Sequence, residues 1–121
     1  MTQKDLRQRT KKFALRIIKL YSSLPRRGDG QVLGGQILKS GTSVGAHYRE
    51  ACRAKSNADF VSKIEGALQE LDETCYWLEL IGESEILPMK RLEPLHAEAE
   101  ELIAILVTIV TRVKRKTTKR S

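Results

Sequence analysis

Apolar positions along this chain recur with a helical period, and no run alternates as a strand would. From about Asp5 to Leu24, Phe13, Ile17, Leu20, Tyr21 and Leu24 fall on one face with Ala14 and Ile18 beside them, and Pro25 and Gly28 end the segment. From roughly Gly30 to Arg53 a stripe of Leu33, Ile37, Ser40, Val44, His47 and Ala51 runs next to a second one of Gly34, Leu38, Gly41, Gly45, Tyr48 and Cys52. A third helix follows Ser56, whose spacing to Asp59 resembles a capping box; its inward stripe is Phe60, Ile64, Ala67, Leu71, Cys75 and Leu78. The fourth starts near Arg91 with Pro94 in its first turn, and Leu92, Leu95, Ala99, Leu102, Leu106, Ile109 and Val113 follow a continuous spacing that Ile103 and Val110 widen. Four helices with short connections predict an all-α, antiparallel four-helix bundle formed by residues 1–121 as one domain. The closing RVKRKTTKRS reads as a basic tail, frayed and mobile from about residue 114.

The pattern leaves two features to explain. GGQILKSGTSVG has the residue types of a phosphate-binding loop, but the order Lys39-Ser40-Gly41-Thr42 is scrambled and no apolar strand precedes it. Interior helical glycines cost about 1 kcal/mol each relative to alanine, so Gly41 and Gly45 are expected to bring another helix close. His47, on the core-facing stripe, is expected to be a buried, hydrogen-bonded packing residue. The second feature is the end of the third helix, where Tyr76, Trp77, Leu80 and Ile81 are apolar nearly all round. Either the loop ESEILPMKRLEP or a neighbouring subunit covers it; the latter makes Tyr76, Trp77 and Leu80 an oligomer interface.

Charge sharpens the picture. Residues 1–55 hold thirteen Lys/Arg and three Asp/Glu, residues 56–111 hold three and twelve, and residues 112–121 hold six and none. Such polarity suits an anionic partner, or subunits meeting basic face to acidic face. There is no apolar run of spanning length and no signal-peptide pattern, which predicts a soluble cytoplasmic protein without membrane partners. Cys52 and Cys75 lie in helical apolar patterns without CxxC spacing, as buried reduced thiols do.

Catalytic constellations fall short. Glu93-Pro94-Leu95-His96 supplies one Glu-x-x-His, whereas a di-metal bundle needs that motif on two helices, and Val44 stands three before His47. His96 is expected at the surface. His47 with Ser40, Ser43 and Cys52 is the best nucleophile cluster on paper, but it lies on the core stripe. Glu65, Asp72 and Glu79 form an acidic line that reads as a solvated face or a complement to another subunit's cations. These residues predict no cofactor, no metal and no enzymatic activity.

The basic residues remain. Arg9, Lys12, Arg16 and Lys19 align on the first helix, Arg26 and Arg27 follow in the loop, and Arg112, Lys114, Arg115, Lys116, Lys119 and Arg120 fill the tail. In an antiparallel bundle the start of the first helix and the end of the fourth share one end, so stripe and tail are expected to converge. With few outward aromatics for stacking, they would contact the phosphate backbone of RNA or DNA with weak sequence preference. The alternative is a protein–protein module, such as the partner of a nucleic-acid-processing enzyme.

The stretch SVGAHYREACRAKSNADFVSKIEGALQELDETCYWLELIGESEIL resembles the signature region of the bacterial four-helix-bundle family that includes proteins encoded in intervening sequences of 23S ribosomal RNA genes. The similarity extends from about Phe13 to Val113; its specific parts are Ser43-Val44-Gly45-Ala46, Glu50-Ala51, Asp59-Phe60 and ALQELDETCYWLEL. His47 departs from the asparagine usual after Gly-Ala. The resemblance implies a compact four-helix protomer, assembly into five-fold rings and no assigned catalysis. It also implies a distant relation to the accessory protein of diversity-generating retroelements, a basic pentamer that works with a reverse transcriptase and nucleic acid.

Overall fold

A computed structural model describes residues 1–120, with side chains through Thr118. Four helices follow one another: α1 (Gln3–Tyr21), α2 (Gly28–Cys52), α3 (Asn57–Glu83) and α4 (Met89–Arg120). The helix starts are written locally. Thr2 accepts a hydrogen bond from the Asp5 N–H at 3.1 Å while Asp5 accepts one from the Thr2 N–H at 3.0 Å, so α1 opens with a full capping box two residues before the expected start. Ser56 caps α3 by accepting from the Asp59 N–H at 3.0 Å, but Asp59 reaches back to the Lys55 N–H instead of closing a box. Gly28 turns the chain into α2 at φ +67°, a backbone that a side chain would strain. Pro94 lies in the second turn of α4, because that helix begins at Met89.

Short connections make successive helices antiparallel neighbours. α2 packs extensively on α3, α1 on α2 and α3 on α4, whereas α1 and α4 approach closely at few points. The core holds most of the predicted stripes of α2, α3 and α4, including Ile37, Val44, Ile64, Leu71, Leu102 and Leu106, while Leu33, His47, Phe60, Ile109 and Val113 are half-buried at its margins. α1 keeps the predicted register but departs at Tyr21. Its buried stripe of Leu6, Thr10, Phe13, Ile17, Leu20 and Leu24 contains four of the five residues expected inside, while Tyr21, the fifth, is 41% exposed and Ile18, expected beside the stripe, is 46% exposed. With a close neighbour on one side only, α1 buries a narrow stripe, and residues one step off it reach solvent. Thr10 is tolerated inside because its hydroxyl donates to the Leu6 carbonyl at 2.8 Å. Ser40 and Thr74 are likewise buried, with their hydroxyls paired at 2.8 Å across α2 and α3.

The two glycines singled out from the sequence separate. A Cβ at Gly41 would lie 2.6 Å from Ile17 Cγ1 and 2.9 Å from Cγ2, so this position requires glycine for α1 to seat. At Gly45 it would meet Thr10 Oγ1 at 3.4 Å, an ordinary contact, so the expected close approach holds only at Gly41. His47 is half-buried against Gly66 of α3, and its Nδ1 has no hydrogen-bond partner, contrary to the expected bonded histidine. Glycine at position 66 makes room for the ring: a Cβ there would sit 3.2 Å from Nδ1.

α4 stays helical through the segment expected to fray. Val113 is half-buried, Lys114 reaches Glu65 on α3 at 3.2 Å, and lysine and arginine are good helix formers.

Candidate nucleic-acid interface

The basic residues divide by what they meet across each seam. Arg9 points at α4, where its Nε and Nη2 each donate to Glu98 at 2.7 Å and Nη2 also lies 2.8 Å from Glu101. The fork raises the Arg9 pKa further, chiefly through the Glu98 hydrogen bonds, and it holds the Glu98 carboxyl below its ordinary range. Arg9 is thus committed to holding α1 on α4. Lys12, Arg16 and Lys19 form no ion pair among the described residues, but Lys12 and Arg16 line a surface groove that also contains Asp5 and Glu98.

The predicted convergence is corrected by the register of this seam. Arg9 stands opposite Glu98 and Glu101, so the basic segment from Arg112 lies about three to four turns further along α4. Stripe and tail follow one another without merging, and Arg26 and Arg27 sit exposed between α1 and α2 at the far end. Near that end Arg91 donates to Ser23 Oγ at 2.7 Å. In the tail, Lys114 is drawn to Glu65, whereas Arg112, Arg115 and Lys116 are exposed; the side chains of Lys119 and Arg120 lie outside the described residues.

A second cationic surface escaped the sequence reading. Arg7 and Lys11, one turn apart on α1, and Arg49 on α2 line a groove of about 370 Å³ whose other walls are Thr10, Ala14, Thr42, Gly45 and Ala46. No carboxylate lines it. Glu50, next to Arg49 in sequence, instead lies 3.5 Å from Lys63 of α3. The available signal was the i, i+4 pair Arg7 and Lys11 opposite the small residues of α2, but sequence alone does not say which helix faces they meet.

The opposite side of the bundle is acidic. Between α3 and α4 a groove of about 540 Å³ has Leu78, Met89, Leu92 and Ala97 in its walls and Glu79, Glu83, Glu93 and Glu100 around them. His96, expected simply at the surface, is half-buried there, with Nε2 2.9 Å from Glu79 and Nδ1 3.2 Å from Glu100. It joins α3 to α4 as Arg9 joins α1 to α4. Asp72, Glu79 and Glu100 add to burial in pushing the Cys75 thiol up to about 11; burial is the larger cause.

Beside this acidic face Tyr76 and Trp77 stack at a tilt, with centroids 5.2 Å apart, and Tyr76 remains 55% exposed while Trp77 and Leu80 are half-buried. The α3–α4 connection does not cover Tyr76. Leu87 is buried in the core and Met89 lies over Gly82.

His47, Ser43, Glu70 and Glu73 form a small polar group on the α2–α3 seam. Burial, with hydrogen bonding to Glu73, raises the Glu70 pKa, while Ser43 and His47 oppose the rise. Ser43 donates to the Lys39 carbonyl at 2.6 Å, so its proton is engaged within its own helix. Among the described residues no group of three or more His, Cys, Asp or Glu could hold a metal, and no helix is long and apolar enough to cross a membrane.

Comparison with known proteins joins this architecture to a family. No curated protein matches. Among solved structures, the chain resembles a Bacteroides thetaiotaomicron VPI-5482 protein described as of unknown function from the S23 ribosomal protein family. The two are 37% identical, the match covers 92% of this chain and 99% of that one, and the TM-score is 0.82. Residues 2–108, which include all four helices up to the basic end of α4, match the family described as 23S rRNA-intervening sequence protein. The four-helix chain with its segregated charge therefore belongs to the 23S rRNA-intervening sequence protein family.

Proposed function

We propose that this protein is a non-catalytic, cytoplasmic accessory or scaffold protein that binds the phosphate backbone of RNA or DNA and assembles as a homo-oligomer, with a pentamer favoured. The observation that carries this reading is the segregation of charge in the folded molecule. Cations not neutralised within the protomer cluster on α1, α2 and the end of α4, while the carboxylates of α3 and early α4 gather on the other side. Such a surface attracts polyanions and releases their counterions on contact. The exposed Tyr76 beside an acidic groove, and exposed Leu15 and Ile18 on basic α1, are two unlike patches of the kind that cyclic closure requires.

Binding of a structured RNA and of a duplex DNA, followed by fluorescence anisotropy over a salt series, tests the first part. The affinity should fall with salt for both. Changing Lys12, Arg16 and Lys19 to Glu should weaken it; Arg9 is left intact because its loss would disturb the fold. Light scattering tests the second part, and a 13.7 kDa particle at micromolar concentration would exclude the ring. Retention of a protein partner with no nucleic-acid binding at low salt would favour an interaction module.

A further inference from the structure

We infer that the groove between α1 and α2 is the seat for successive phosphates of the nucleic-acid backbone, with Arg7, Lys11 and Arg49 as its ligands. This rests on the nucleic-acid reading above and gives it a location. The stripe of Lys12 and Arg16 shares its groove with Asp5 and Glu98, so a phosphate there meets negative charge as well as positive. The α1–α2 groove has three cations and no carboxylate. None of the three forms an ion pair among the described residues, so all are free to neutralise an anion.

The floor suits the same occupant. Ala14, Gly45 and Ala46 put almost no side chain into the groove, and nothing at Gly45 forces the helices into closer contact. Space is left between the cations instead of being filled by packing. The two hydroxyls on the walls are already spent inside the helices: Thr10 donates to Leu6 and Thr42 donates to the Leu38 carbonyl at 2.6 Å. Contact therefore falls to the guanidinium forks and the ammonium, whose charge and geometry match phosphate oxygens.

The test compares the wild type with R7Q/K11Q/R49Q, with A46E and with K12Q/R16Q/K19Q. A labelled RNA hairpin is titrated across a salt series, and circular dichroism and light scattering are recorded in parallel. All substituted side chains except the half-buried Arg16 are exposed, so the fold should persist. Loss of three phosphate contacts should flatten the log–log salt slope by about 2 to 2.7 units. A46E, which places a carboxylate in the groove, should weaken binding with the charge ligands intact, and K12Q/R16Q/K19Q should change the slope less than R7Q/K11Q/R49Q.

If the wild type binds but the groove variants keep its affinity and slope, the groove assignment is overturned and the nucleic-acid reading stands. If the wild type binds neither the RNA hairpin nor a duplex DNA at low salt, both fall. Dissociation of the oligomer by R7Q/K11Q/R49Q with an unchanged RNA slope would make the groove a contact between copies and overturn the assignment. Binding to phosphatidylserine vesicles without binding to the hairpin would overturn it in favour of lipid headgroups.

Discussion

The two halves of this bundle solve the same packing problem with different chemistry. α1 and α2 come together through small residues: Gly41 lets Ile17 sit against the α2 backbone, and their cations are left facing outward. α3 and α4 bury the usual large apolar residues but also crowd carboxylates along their groove, with His96 between Glu79 and Glu100. A seam closed by steric fit leaves its charges available to a partner. A seam crossed by polar side chains, as His96 crosses from α4 to Glu79 on α3, engages those groups internally.

The α1–α4 seam joins the two halves and shows the second behaviour in its clearest form. The helices approach closely at few points, and Arg9 spans the gap with a bidentate bridge to Glu98 and a further contact to Glu101. A fixed fork of this kind holds two helices in register where interlocking side chains are sparse.

The comparison is broken most strongly at the glycines. Gly41→Leu should destabilise the protein by about 3 kcal/mol, because even its Cβ would press on a fully buried Ile17 and the rest of the side chain has no space. Gly45→Ala should instead stabilise by up to about 1 kcal/mol, since its Cβ meets only an ordinary contact and helix propensity improves. Urea denaturation of the two variants reads the contrast directly; equal destabilisation would mean that both glycines serve close packing.

A smaller effect is expected at the ionic seam. Arg9→Ala should cost about 1–2 kcal/mol, the range for charged hydrogen bonds reduced for partial exposure. Because the bridge depresses the Glu98 pKa in the folded state, its stabilisation is complete above the unfolded carboxylate value of about 4.3 and is lost as pH falls through the lower folded value. Thermal melts should thus show the wild type and Arg9→Ala well separated at pH 7 and converging in acid below about pH 4. A gap that stayed constant with pH would assign the loss to packing of the arginine stem.

The least effect on the fold, and the finest distinction, concerns the thiols. Cys75 is buried beside the acidic face with its thiol pushed up to about 11, while Cys52 is half-buried at the end of α2. At pH 8 a disulfide reagent should modify Cys52 first, with Cys75 reacting only as the protein unfolds. Equal native-state rates would show that the α3–α4 half opens more readily than its packing suggests.

Much of this molecule was legible in its residues because helices are local objects. The stripes of α2, α3 and α4 follow the 3.6-residue period, and Thr2 with Asp5 and Ser56 with Asp59 set two helix starts through contacts three residues apart. The charge separation was equally plain, since it is a property of composition along the chain. In α1 the stripe of Phe13, Ile17, Leu20 and Leu24 is equally legible, but Tyr21 stands next to it, and only the one-sided packing of that helix decides that this ring remains exposed.

The candidate site was legible only as a class of residues. Nothing in the order of the letters separates Arg9 from Arg7, yet one is bound to a glutamate 89 positions away and the other lines an open groove. The same holds for Gly41 and Gly45, which share a stripe but meet different parts of α1. Residue type, period and charge along the chain set which helices form, which faces turn inward and that the molecule is polar in charge. Which cations remain free was decided by tertiary register alone, because an ion pair between helices depends on how far each has slid along its neighbour, and that offset is set by the packing of the whole core.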